Sequence, residues 1–258
     1  MDNALHPLDE RYIDAYAIRE TTGTAAQGVS RLRCPFCLGE LFLTHRQRRG
    51  YGYYKHTSDE DGARCPLTTT GYHQESLVGR GPQGPQGLQF EQLHRTRFLT
   101  NWKRHFRIAR SEVPSLTIAR FTALIECADV LNLWSSARVD IRDLPYVLLV
   151  LGGFMVVRGE EEQKAWVRFL FDGNVRETAD IWRPDAPVAR LFRVTYRGAL
   201  HTPFPTSAEI MHWEQVARIE RLEDVTTPGV NREEKRAFDH FAQSNAAARL
   251  GRRESLDE

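Results

Sequence analysis

Cys34-Pro-Phe-Cys37 is the sharpest chemical feature of the chain. Two thiolates two residues apart suit a tight knuckle whose backbone amides hydrogen-bond the sulfurs. Such a knuckle presents half of a tetrahedral zinc site. A redox motif of this spacing would need a strand-to-helix setting. Here Gly39 and Glu40 lead instead into Leu41-Phe-Leu43, a strand pattern. Cys65, within Arg64-Cys65-Pro66, is the expected third ligand. His56, closing Tyr53-Tyr54-Lys55-His56, is the favoured fourth, with His45 and His73 as competitors. Three thiolates and one histidine fill the coordination shell, so zinc is expected to be structural, with no open position to activate water. The opposing reading is reduced thiols in a small core. It is disfavoured because a segment this rich in glycine and polar residues buries too little apolar area by itself. Cys127, beside Ala128 on the apolar face of a helix, reads as a small buried hydrophobe.

A second group of residues is cationic. Gln92 to Arg110 holds Arg95, Arg97, Lys103, Arg104, Arg107 and Arg110 with no acid, together with His94 and His105. Phe98, Trp102 and Phe106 are interleaved. Arginines fix phosphates, and exposed aromatics stack on unpaired bases. The competing reading places the aromatic stripe in the core and leaves a solvated basic face. Arg31, Arg33, Arg46, Arg48, Arg49 and Lys55 surround the knuckle. Phosphate contacts are therefore expected from Arg46, Arg48, Arg49, Arg95, Lys103, Arg104 and Arg107, with DNA or RNA as partner.

The knuckle, the aromatic segment ending at His56 and the later Cys65 resemble the N-terminal zinc-finger region of the competence protein CoiA family, over roughly residues 10–78. Tyr53 stands where that family often has its first histidine. The resemblance implies a following Mg²⁺-dependent nuclease domain of the PD-(D/E)xK type, whose first helix often carries Glu-x-x-His, matched here by Glu91-Gln-Leu-His94. It then departs from the pattern. That chemistry needs an acid ending one strand and an acid-x-Lys on the next, so that two carboxylates hold Mg²⁺ and lysine steadies the attacking water. Asp140 or Asp143 with Glu162-Gln163-Lys164 are the best candidates, and such a spacing arises easily by chance in a charged chain. The favoured expectation is a non-catalytic, nucleic-acid-associated bacterial zinc protein. A CoiA-like nuclease using Glu91, Asp140, Glu162 and Lys164 is the first alternative, and a protein-interaction adaptor is the second.

The elements that must position these groups follow from patterning. The 258 residues are 41% apolar and 27% charged, which is a globular composition. The net charge is +1, so no global imbalance announces a partner. The 35 cationic residues include lysine only at 55, 103, 164 and 235. No signal-like apolar core opens the chain, and Tyr146–Val157 is too short to span a bilayer. A cytoplasmic, non-membrane protein is expected. The expected organisation is a zinc-ribbon module over 1–78, a flexible Gly/Pro linker over 79–88, an α+β domain over 89–227, and a charged helix and tail over 228–258. Helices are expected over 89–110 and, capped by Ser115, down to Trp134. Tyr146–Leu151 and Phe154–Val157 read as a hairpin turning at Gly152-Gly153. Strands at 165–171, ending in a tight-turn signal at Asp172-Gly173, and at 190–196, with one returning from Val175, complete an antiparallel meander. Thr206-Ser-Ala-Glu209 reads as a capping box opening a helix to about Leu222, and Asn231-Arg-Glu-Glu234 as the cap of the last one. The fold class is thus α+β: a zinc ribbon, then helices packed on an antiparallel β-meander.

Overall fold

The computed structural model describes residues 3–5, 12–15, 32–45, 52–65, 67, 77, 79, 81–82, 84–158, 164–175, 177–185, 188–197, 205, 209–226 and 229–254. It is an α+β fold with two wholly antiparallel sheets. The N-terminal sheet has the order β2-β1-β3-β4-β5, from β1 (Asn3–Leu5), β2 (Tyr12–Asp14), β3 (Leu32–Arg33), β4 (Glu40–His45) and β5 (Gly52–His56). A short helix, α1 (Asp59–Arg64), follows. The second sheet is an antiparallel meander, as expected in type though not in every strand, and runs in sequence order: β6 (Met155–Arg158), β7 (Lys164–Phe171), β8 (Leu191–Tyr196) and β9 (Ile210–Gln215).

Period-two alternation gives the meander two apolar faces. Val167, Phe169, Phe171 and Leu191 join a core built from α2 (Pro85–Thr100), α3 (Trp102–Glu112), α4 (Ile118–Val130) and α5 (Leu144–Leu151). Leu170, Phe192, Val194 and Tyr196 face the other way, into a second core shared with Ala4, Leu32, Cys34, Phe36, Leu41, Tyr54 and Cys65. The N-terminal sheet thus lies on the meander's second face. Burying both faces makes the meander central rather than half-solvated.

Three expectations are corrected. Tyr146–Leu151 is not a strand but most of α5, and every residue of that helix is buried. A continuous apolar run carries no periodicity to separate the two states, and a helix buried on all sides is apolar all round. Pro145 in its first turn suits a helix start. Ile210–Gln215 is strand β9, not helix. Thr195 pairs with His212 and Tyr196 with Ile210, so Met211 is an extra bulged residue. A bulge resets the alternation, placing Ile210 and Trp213 against the same core at a spacing of three that imitates a helix. The stretch beginning at Val175 gives a short 3-10 helix over Thr178–Trp182 rather than a strand.

The stretch 79–88, expected as a flexible linker, is tied to the helical domain at two described points and then enters a helix. Gly79 N–H donates to Leu131 C=O at 2.8 Å, Gly81 N–H donates to Ser135 Oγ at 3.2 Å, and α2 already begins at Pro85. The expected single helix over 89–110 breaks at Asn101 into α2 and α3. The cap of α4 is Thr117, whose hydroxyl accepts from Arg120 N–H at 3.2 Å, while Ser115 Oγ donates to Val156 C=O instead. At the last helix, α6 (Arg232–Glu254), the expected capping box is present: Glu234 N–H donates to Asn231 Oδ1 at 2.8 Å and Asn231 N–H to Glu234 Oε2 at 3.0 Å.

Candidate functional site

The knuckle is built by backbone geometry. Cys34 leaves β3, Leu38 N–H donates to Cys34 C=O at 2.9 Å, and Cys34 N–H donates to Gly39 C=O at 2.9 Å. Leu38 takes a left-handed conformation, φ 62°, to close the turn. Gly39 N–H then donates to Cys37 Sγ at 3.4 Å, as expected of an amide that steadies a thiolate. The β4–β5 pairing places His56 opposite Leu41, beside the knuckle. Helix α1 returns the chain so that Cys65 reaches the same point.

The four expected ligands converge. The ligand atoms of Cys34, Cys37, His56 and Cys65 all lie within 4.8 Å of one another. Cys34 Sγ is 3.8 Å from Cys65 Sγ, and Cys37 Sγ is 3.2 Å from His56 Nε2. A tetrahedron with metal–sulfur bonds of about 2.3 Å has sulfur–sulfur edges of about 3.8 Å. The cluster can therefore hold a metal ion, and its donor set is compatible with zinc. Among the described residues no other group of three such side chains forms. His73 and the side chain of His45 lie outside the described residues.

Three thiols this close cannot all ionise without a cation among them. Burial first, then contact with Cys37 and Cys65, pushes the Cys34 thiol well up. Contact with Cys34, then with Cys65, pulls Cys37 down, against its own burial. Contact with Cys34 favours the Cys65 thiolate, yet contact with Cys37 and burial push Cys65 up to about 12. A divalent ion would reverse the penalty on Cys34 and Cys65 and supply the missing positive charge.

Phe36, between the two cysteines, is fully buried and anchors the knuckle to the meander. Its ring lies 4.9 Å from Phe192 and 5.1 Å, edge to face, from Trp213. Gly173, in the β7–β8 turn, permits this approach: a Cβ there would sit 2.8 Å from the Cys37 carbonyl carbon. Sequence reasoning read Asp172-Gly173 only as a turn and missed this docking.

The expected phosphate-binding residues separate into different environments. Arg95 is corrected: it is buried, with Nε donating to Asp129 Oδ1 at 2.7 Å and Nη2 to Asp129 Oδ2 at 3.0 Å and Asn245 Oδ1 at 2.7 Å. Trp134 Nε1 donates to the same carboxylate at 2.7 Å. Arg95 ties α2 to α4 and α6. Lys103 and Arg104 are half-buried and Arg107 is exposed, with Arg104 Nη1 donating to Asn101 Oδ1 at 3.1 Å. Arg46, Arg48 and Arg49 lie outside the described residues. The interleaved aromatics belong to the core: Phe98, Trp102 and Phe106 are all buried, and Trp102 stacks on Phe238 at 4.0 Å.

The nuclease candidates are not gathered by what is described. Asp140 lies in a loop, not at a strand end, and accepts from Arg142 Nε at 3.0 Å through both oxygens. Asp143 is held by Arg218 Nη1 at 2.9 Å and Trp182 Nε1 at 3.0 Å. Glu91 lies on α2 and Lys164 opens β7, while Glu162 is outside the described residues.

No family model matches the chain, and no curated protein or solved structure is significantly similar to it. Among the described residues, no helix is long and apolar enough to cross a membrane.

Proposed function

We propose that this chain is a bacterial zinc-ribbon protein that associates with nucleic acid without catalysing a reaction on it. The convergence of Cys34, Cys37, His56 and Cys65 carries the reading, because four protein donors occupy every position of a tetrahedral ion. Zinc held there has the task of fixing the fold, not of activating water. The ribbon is the knuckle together with β4, β5 and Cys65, and it is seated on the meander through Phe36. The contact to nucleic acid falls to cations that no described acid neutralises, Lys103 and Arg107 on α3 among them. The CoiA-like nuclease remains the alternative that would require Asp140 to leave Arg142 and take up Mg²⁺.

The test is one incubation of zinc-loaded protein with labelled single- and double-stranded DNA and RNA, with Mg²⁺ or EDTA, run on native and denaturing gels. The expected result is an intact, shifted band that weakens as salt rises, since each neutralised phosphate releases counterions. Mg²⁺-dependent cleavage would transfer support to the nuclease. Neither shift nor cleavage would leave a protein-interaction adaptor.

A further inference from the structure

The three thiols of the cluster differ in access. Cys34 and Cys65 are sealed, at 0% and 1% exposed, whereas Cys37 is only half-buried. Cys37 Sγ accepts the Gly39 N–H at 3.4 Å and lies 3.2 Å from His56 Nε2. Zinc binds cysteine as thiolate, so the ion proposed above keeps this sulfur in its nucleophilic form. A thiolate that solvent reaches, with a second thiolate nearby to resolve it, is the setting of cysteines that respond reversibly to peroxide. Hydrogen peroxide is small enough to reach that sulfur where a bulkier thiol reagent is excluded.

The resolving group is set by the fold. The ligand atoms of the cluster all lie within 4.8 Å of one another, so Cys34 and Cys65 both stand close to Cys37. Cys34 shares its turn, which Leu38 N–H closes by donating to Cys34 C=O at 2.9 Å. Residues three apart in a tight turn have Cα atoms within about 7 Å. A disulfide bridges Cα separations of about 4.4–6.8 Å, so this pair meets the backbone requirement within a single turn. Cys65 comes instead from just past α1, on a separate part of the chain. Cys127 stands apart, packed against the helical core.

We infer that Cys37 is a peroxide-reactive site whose oxidation ejects the metal by forming a Cys34–Cys37 disulfide. The inference rests on the zinc reading above and adds regulation to it. The Cys37 thiolate attacks one oxygen of hydrogen peroxide, the O–O bond breaks, and a sulfenic acid forms with hydroxide as the leaving group. The Cys34 thiolate then attacks that sulfur and expels a second hydroxide. The two thiolates lose one electron pair in all, and the peroxide gains it. His56 and Cys65 are left as the only protein donors, too few to fill a tetrahedral shell, and the ion departs. Phe36 lies between the joined residues, so its packing 4.9 Å from Phe192 is kept and the site can be rebuilt by a dithiol and fresh zinc.

The test is to titrate the zinc-loaded full chain with hydrogen peroxide while a chromogenic chelator reports free zinc, then to map tryptic peptides by mass spectrometry. One zinc should appear per peroxide consumed. The peptide that begins at Cys34 should be lighter by two hydrogens, and dithiothreitol with added zinc should reverse both changes. Cys127→Ser should behave as the wild type does. Zinc retained under peroxide, whether the thiols stay intact or Cys127 alone is oxidised, would overturn the inference and leave the zinc reading standing. A crosslink to the Cys65 peptide in place of the local disulfide would overturn the assignment to Cys34. A chain that holds no zinc before treatment would overturn the zinc reading and the ejection with it, and the peptide map would then judge the disulfide alone.

Discussion

Gly173→Ala probes the docking of the knuckle on the meander, because the sign of its effect depends on that docking. Gly173 does not occupy a left-handed conformation, so alanine is compatible with its backbone. If the β7–β8 turn faced solvent, losing glycine's freedom in the unfolded chain would stabilise the protein by about 0.4–1 kcal/mol. In this structure the new methyl would lie 2.8, 2.9 and 3.0 Å from the Cys37 carbonyl carbon, its oxygen and its Cα. Those atoms are backbone held by the knuckle's own hydrogen bonds, and they cannot swing aside as a flexible side chain would. Overpacking of this kind costs about 1–3 kcal/mol. For a chain of this size that corresponds to a fall in Tm of roughly 2–12 °C. Thermal unfolding of zinc-loaded wild type and variant, followed by circular dichroism, reads the difference. An unchanged or raised Tm would refute the docking, and with it the shared core around Phe36.

Other perturbations separate structural from surface roles. Arg95→Met should lower stability by about 3–5 kcal/mol in chemical denaturation, because it strands the Asp129 carboxylate, yet leave the salt dependence of nucleic-acid binding unchanged; a loss of binding without loss of stability would return Arg95 to the interface. Burial, and secondarily Arg104, lowers His105 to about 3. Between there and the unfolded value near 6.5 the unfolded chain holds one more proton, so stability falls as pH falls, by up to about 1.4 kcal/mol per unit. His105→Leu should remove that component, so urea midpoints of variant and wild type should diverge on going from pH 7 to pH 4; parallel curves would contradict it. Asn231→Ala should cost about 0.5–2 kcal/mol through loss of the α6 cap, read by the same denaturation.

The candidate metal ligands were legible because cysteine and histidine spacing reports chemistry directly. Cys34, Cys37, His56 and Cys65 needed only to be brought together, and the β4–β5 hairpin and α1 do so. The meander strands β7 and β8 were legible from alternation and from the Asp172-Gly173 turn. What failed did so for identifiable reasons. The apolar run at 146–151 carries no period, and the bulge at Met211 converts a period of two into a spacing of three. The role of Arg95 was hidden because its partners, Asp129 and Asn245, lie far along the chain on other helices.

The central claim is that Cys34, Cys37, His56 and Cys65 hold one zinc ion as part of the fold. The most direct measurement is the metal content of the purified full chain, paired with a count of thiols that react before and after a chelator. One zinc per chain is expected, with the three cluster thiols shielded until the metal is withdrawn. Cys37→Ser should lose the metal, and Cys127→Ser should retain it. Substoichiometric metal in the wild type, or full occupancy in Cys37→Ser, would contradict the account.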